Sequence, residues 1–117
     1  MNTEAADCIF CKIVSKKIPS KIVLDEKDIL AFHDVNPKAP VHLLVITKQH
    51  VAKIDDMTDA QGELLGKMIY AAKKLAEEYN IKQGYRLVFN NGLEAGQSVF
   101  HIHLHLLGGR PMSWPPG

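Results

Sequence analysis

At 117 residues, 46% of them hydrophobic and 23% charged, the chain can bury roughly two thirds of its unfolded surface around one core and is too apolar to be a disordered tail. Fourteen Lys and Arg stand against thirteen Asp and Glu for a formal charge of +1, which excludes a polybasic nucleic-acid binder. The longest apolar run, residues 41–46, is interrupted by His42 and falls far short of the ~18 residues of a membrane span.

The opening Met1-Asn2-Thr3-Glu4-Ala5-Ala6-Asp7 lacks the basic and apolar regions of a secretory signal, so a cytoplasmic location is expected, with residues 1–7 as a flexible lead. Without repeats, low-complexity tracts or Gly/Ser linkers, residues 1–117 read as one domain. Asp7 can cap a short helix whose Ile9, Phe10, Ile13 and Val14 recur at helical spacing, and Ile18-Pro19-Ser20 ends it as an N-terminal arm. Residues 21–25 and 29–33 read as two strands joined through Glu26-Lys27-Asp28, as in a hairpin. Pro37 and Pro40 break the chain before a third, central strand over 42–47.

Thr58-Asp59-Ala60-Gln61 fits a capping box. Behind it Leu64, Leu65, Met68, Ile69, Ala72, Leu75, Ala76 and Tyr79 repeat with the helical period. A fourth strand is expected over 85–90 and a fifth over 100–107, with a polar loop carrying Gly92, Gly96, Gln97 and Ser98 between them. Strands in succession joined by short loops make the sheet mainly antiparallel, so the class is α+β.

The chemistry concentrates in the last strand. Alternate residues of a strand share a face, so His101, His103 and His105 project in a row about 6.6 Å apart while Ile102, Leu104 and Leu106 face the core. A solvated strand face, or a strand of metal ligands, would leave the same pattern. The preceding loop favours an anion site, because Asn90-Asn91-Gly92 and Gly96-Gln97-Ser98 can offer backbone N–H groups and a hydroxyl beside the imidazoles. Cys8 and Cys11 lie too close in sequence to staple a fold by closing a long loop and read as a metal or redox pair. A thioredoxin-like role does not fit, since the pair is not set in a βαβ unit.

The triplet His101-Ile102-His103-Leu104-His105, followed by Leu106-Leu107, resembles the signature of the histidine triad (HIT) superfamily. Gly96-Gln97-Ser98-Val99-Phe100, Leu107-Gly108-Gly109-Arg110, Trp114-Pro115-Pro116-Gly117, Ile18-Pro19-Ser20-Lys21 and Ala31-Phe32-His33-Asp34 extend the resemblance over residues 8–117 and toward its Hint branch, the histidine triad nucleotide-binding proteins. The resemblance implies a five-stranded, mainly antiparallel sheet with two helices, paired into a homodimer. It also implies hydrolysis of the P–N bond of purine nucleoside phosphoramidates through a covalent nucleotidyl-histidine.

It makes His103 the nucleophile, flanked by His101 and His105, with Ser98 beside the departing nitrogen and Gly96 and Gln97 in the phosphate cradle. Asp34 takes the ribose-binding position, and Phe32, Val35, Leu44, Ile9, Phe10 and Ile13 enclose the base. His42 and Asn90 stand near phosphate and ribose, and Trp114, in the tail over 108–117, reaches toward the neighbouring subunit. The resemblance implies that no cofactor is required for catalysis. The implied partners are a purine nucleoside monophosphate or its phosphoramidate and a second copy of the chain, with no nucleic acid and no membrane.

The Cys8-x-x-Cys11 pair departs from many Hint relatives, as do Thr47, where the branch often has Pro, and Ser113, where it often has His. Some HIT relatives add His50 and the first triad histidine, here His101, to such a pair as a structural zinc site. The competing function classes are a nucleotide-binding or interaction module with incidental turnover and a zinc storage or sensor domain.

Overall fold

The computed structural model describes residues 7–117; the expected lead over 1–7 lies, apart from Asp7, outside them. The elements run α1 (Ile9–Val14), β1 (Ile22–Asp25), β2 (Ile29–His33), β3 (Val41–Thr47), α2 (Glu63–Glu78), β4 (Tyr85–Phe89) and β5 (His103–Gly108), with 3-10 turns at Ile54–Asp56, Asp59–Gln61 and Leu93–Ala95. The strands form one five-stranded sheet in the order β1-β2-β3-β5-β4, every neighbouring pair antiparallel. This is the expected α+β class with two helices.

Alternation along the central strands divides the interior in two. Ile29 and Ala31 of β2, Leu43 and Val45 of β3, and Leu104 and Leu106 of β5 pack with Met68, Ala72 and Leu75 of α2. On the other face Leu30, Phe32, Leu44 and Ile46 pack with Phe10 and Ile13 of α1. Because α1 is short, that second layer covers only part of its face. The remainder is where β5 turns its histidines.

Register sets the neighbours. Phe32 pairs with Leu44 and Leu30 with Ile46, while Leu44 pairs with His105 and Ile46 with His103. Since directly opposed side chains on one face lie within contact range, two rows run from the apolar wall of β2 to the histidines of β5.

Several boundaries differ from expectation. The cap of α1 is Cys8, whose Sγ accepts the Cys11 N–H at 3.4 Å, not Asp7. The helix ends at Val14, well before Pro19, because Lys16 turns to φ 64° and the Lys17 N–H reverses to the Lys12 carbonyl at 2.8 Å. The expected capping box opens the 3-10 turn ahead of α2, with Gln61 Oε1 accepting the Thr58 N–H at 2.9 Å. Asn80 stops α2 in the left-handed conformation at φ 59°, a position that asparagine tolerates better than most residues. β1 begins at Ile22 and β4 ends at Phe89, which leaves Asn90 outside the sheet. β5 begins at His103 and not at residue 100, because the Ile102 N–H goes to the Val51 carbonyl at 2.7 Å before the chain joins the ladder. No helix among the described residues is long and apolar enough to cross a membrane.

Candidate active site and metal centre

A cleft of about 290 Å³ opens where α1 leaves the sheet uncovered. Ile9, Phe10, Ile13, Phe32 and Leu44 line its apolar side, Ser98, His103 and His105 its polar side, and Asp34 and Val35 its mouth. Pro19, Ser20, His33, Asp34 and Val35 also border a wider recess of about 730 Å³ that includes Lys21 and His42. Phe10 stands edge-on to Phe32 at 5.4 Å and to His103 at 5.2 Å between ring centroids, which joins the apolar wall to the imidazoles. Ile9 and Val35, at 49% and 97% exposure, leave apolar surface uncovered at the entrance.

The hydrogen bonds decide which nitrogen of each ring is free. A carbonyl oxygen can only accept, so the 2.7 Å contact of His103 Nδ1 with the His101 carbonyl places the proton on Nδ1. The neutral ring then carries its lone pair on Nε2. A backbone N–H can only donate, so the Lys38 N–H on His42 Nδ1 at 3.0 Å puts the proton of neutral His42 on Nε2. That Nε2 lies 2.9 Å from His105 Nδ1, which must accept, leaving the His105 N–H on Nε2. One residue of the triad therefore offers a lone pair and its neighbour a donor.

Burial holds these rings neutral. It is the largest influence on His103 and His42, depressing both below the ordinary imidazole value. It also pushes His105 down to about 4, with the imidazoles of His103 and His42 adding to the effect.

His101 departs from the expected role beside a phosphate. Its ring is fully buried, lies ahead of β5 and outside the cleft lining, and donates Nε2–H to the Thr47 carbonyl at 2.7 Å. The remaining nitrogen, Nδ1, sits 3.3 Å from Cys8 Sγ, 3.6 Å from Cys11 Sγ and 3.3 Å from His50 Nδ1. Cys11 Sγ and His50 Nδ1 are also 3.3 Å apart. Tetrahedral zinc with ordinary Zn–S and Zn–N bonds sets ligand edges of about 3.3 Å between nitrogens and about 3.6 Å between nitrogen and sulfur. These four residues fit that pattern, and the tautomer of His101 presents a lone pair to it. Burial pushes His101 down to about 4, so protons do not compete for Nδ1 near neutrality.

Asp34, His42 and His105 form a second cluster of ligand-type atoms. It does not suit a metal, because His42 Nε2 carries the proton that the Lys38 contact forces on it.

The loop before β5 is shaped by Gly92 and Gly96 at φ 93° and 89°, values that L side chains rarely adopt. Gln97 is buried, contrary to its expected place in a phosphate cradle. Its amide donates to the carbonyls of Ala52 at 2.7 Å and Val99 at 3.1 Å, and its Oε1 accepts the Gly92 N–H at 2.8 Å. Both its N–H donors are thus spent on the loop, which it clamps so that exposed Ser98 borders the cleft. Asn90 and Gly96 do not line the cleft. Trp114 is 82% exposed.

The contribution of Thr47 is invisible in the sequence pattern. Its carbonyl receives His101, and its hydroxyl donates to the Gln49 carbonyl at 2.6 Å, bending the turn that delivers His50. In the sequence Thr47 stands out only as a departure from the usual Pro; the structure shows it fully buried at the end of β3.

The HIT domain matches residues 15–112. The chain belongs to the HIT family. Among HIT relatives, an uncharacterised HIT-like protein of Synechocystis is 50% identical over 97% of this chain and 99% of its own length. A protein of Zea mays named as a 14 kDa zinc-binding protein is 46% identical over 93% of this chain and 87% of its own. The crystal structure of a HIT family hydrolase from Legionella pneumophila is 54% identical and superposes with a TM-score of 0.92, covering 95% of this chain and all of that one.

Proposed function

We propose that this HIT protein is a Hint-type phosphoramidase that hydrolyses the P–N bond of purine nucleoside phosphoramidates. The observation that carries the reading is the His103 ring, neutral, with Nδ1–H tied to the His101 carbonyl and Nε2 unprotonated beside the cleft. A nucleophile needs that state. The base occupies the apolar slot against Phe10, Phe32 and Leu44, and the ribose hydroxyls donate to Asp34. That arrangement brings phosphorus to His103.

In the first step His103 Nε2 forms a bond to phosphorus as the P–N bond breaks, and the departing nitrogen takes a proton from solvent water at the open mouth of the cleft and leaves as an amine. Ser98 hydrogen-bonds that nitrogen, and His105 Nε2–H donates to a nonbridging oxygen as negative charge develops. In the second step water attacks phosphorus and gives a proton back to the solvent as the P–Nε2 bond breaks, releasing the nucleoside monophosphate and restoring the neutral imidazole. Splitting one hard displacement into two lowers each barrier.

Cys8, Cys11, His50 and His101 are the residues that would hold zinc. When bound, zinc cross-links the arm to the entrance of β5 and supplies no chemistry at phosphorus, since four protein ligands close its shell. The homodimer is supported by β4 as an open sheet edge and by the exposed Ile69 and Tyr70 of α2.

The deciding experiment mixes the protein with adenosine 5'-phosphoramidate, with and without chelator, and follows release of the amine while intact mass is read after a rapid quench. Turnover with one nucleotidyl group on the His103 peptide is the expected result. Nucleotide binding with neither amine release nor adduct overturns the enzyme reading in favour of a binding module.

A further inference from the structure

His105 receives its hydrogen bond at the end of a chain of contacts that begins in the tail. Arg110, two residues past β5, donates from Nη2 to the Lys38 carbonyl at 3.0 Å. The N–H of the same Lys38 donates to His42 Nδ1 at 3.0 Å, and His42 Nε2–H donates to His105 Nδ1 at 2.9 Å. Lys38 sits in the loop between β2 and β3, where Pro37 and Pro40 have no N–H to tie the backbone down. A bond from a charged guanidinium is of the stronger kind, and it fixes the residue whose amide meets His42.

The tail lies close against that loop. A Cβ on Gly109 would stand 2.9 Å from Pro40 Cβ, so glycine lets the chain leaving β5 rest on the loop. Farther on, Arg86 of β4 donates to the Ser113 carbonyl at 2.8 Å. Arg110 is thus held between two anchors, and it lies outside the cleft lining.

We propose that Arg110 is a positioning residue for His105, acting through Lys38 and His42 to keep an N–H on the His105 nitrogen that faces the phosphate. With the Lys38 N–H in place, neutral His42 must carry its proton on Nε2, so His105 accepts at Nδ1 and donates from Nε2. When Lys38 drifts, His42 can carry its proton on Nδ1 instead. Its bare Nε2 then calls for a proton on His105 Nδ1, and His105 Nε2 turns a lone pair toward the phosphate oxygen. The two rings keep the same number of protons, but a donor becomes an acceptor where negative charge develops. The inference rests on the phosphoramidase reading for the phosphate and deepens it.

The test uses the full chain, and because Arg110 is exposed its substitution leaves the core intact. Imidazole 15N spectra of the free parent protein near neutrality should show a protonated Nε2 and a bare Nδ1 on both His42 and His105. Arg110→Ala should move these nitrogens toward values averaged over the two tautomers and speed exchange of the Lys38 amide. Arg110→Lys, which keeps a cationic donor for the Lys38 carbonyl, should restore the parent pattern. In turnover of adenosine 5'-phosphoramidate, Arg110→Ala should lower kcat about tenfold, the scale of one hydrogen bond, with KM changed less than about twofold.

Parent nitrogen positions retained in Arg110→Ala, or shifted nitrogens with kcat unchanged, overturn the proposal while the phosphoramidase reading stands. A parent chain that binds AMP without turnover overturns that reading, while the nitrogen shifts still support or overturn the chain from Arg110 to His105.

Discussion

The Nδ1–H of His103 is held 2.7 Å from the main-chain carbonyl of His101, two residues earlier on the same segment. The orientation of the one ring is therefore fixed by the backbone of the other, whose own side chain points to the cysteines. In the proposed mechanism, His103→Ala removes the group that bonds to phosphorus but few of the contacts that hold the nucleoside. Turnover is expected to fall by at least about 10⁴-fold, with the AMP dissociation constant measured by calorimetry changing less than about tenfold. Comparable turnover by the variant would rule out the covalent route.

Acid stability provides a second check. The folded-state value for His105 is about 4, depressed from 6.5 mainly by burial. Between those limits the unfolded chain binds a proton that the folded chain refuses, so the stability from the neutral ring is intact above about 6.5 and is lost as pH falls toward about 4. His42, also depressed by burial, acts in the same direction. Urea midpoints of chelator-treated protein should decline between pH 6.5 and 4, and His105→Gln should flatten the decline. An unchanged slope in that variant would mean that the ring is solvated.

The sheet and α2 were legible because their signals are periodic and local. Alternation placed Ile102, Leu104 and Leu106 in the core even though the strand itself begins one residue after Ile102. The boundaries that slipped were decided by single backbone hydrogen bonds, such as the Lys17 N–H to Lys12 and the Ile102 N–H to Val51. The cysteines, His50 and His101 could be grouped from residue type together with family resemblance. The division of labour within the triad could not, because it depends on which ring nitrogen meets a carbonyl and which meets an N–H. Gln97 shows the same gap: an amide in a glycine loop reads as a ligand contact, and only its three partners reveal a clamp.

Phe10 ties the arm to the reaction centre through edge-on contacts with Phe32 and His103. A leucine there keeps most of the packing volume and should cost less than about 1.5 kcal/mol of stability. In the proposed binding mode it loses an aromatic contact with the base, worth about 1–3 kcal/mol in comparable sites. Phe10→Leu is expected to raise KM about tenfold with kcat nearly unchanged in steady-state assays. A fall in kcat with KM preserved would instead assign Phe10 to the aim of His103.

Assembly is checked by sedimentation. β4 leaves a sheet edge open, and Trp114, 82% exposed, has apolar area that a neighbouring subunit would cover. A two-fold dimer is expected at micromolar concentration, and Trp114→Ala should alter turnover more than folding. A monomer that turns over at the full rate would refute both points.

Zinc bound by Cys8, Cys11, His50 and His101 would act at a distance from phosphorus. The arm carrying Phe10 and Ile13 is held at one end by the cysteines, along its apolar face by the sheet, and at the other end by the Lys16–Asp25 ion pair. Elemental analysis should find one zinc per chain, and the Cys8→Ser, Cys11→Ser double variant should lose it. Because thiolate and imidazole ligands must shed protons to bind, the metal should also leave on acidification. Hydrogen exchange over residues 9–14 should then accelerate, and KM should rise before kcat falls. Thr47→Val, which deletes the hydroxyl that bends the His50 turn, is expected to weaken zinc about 10–100-fold, with Thr47→Ser restoring it. Zinc retained by the cysteine double variant would place the metal on the triad itself and would contradict a free His103 Nε2.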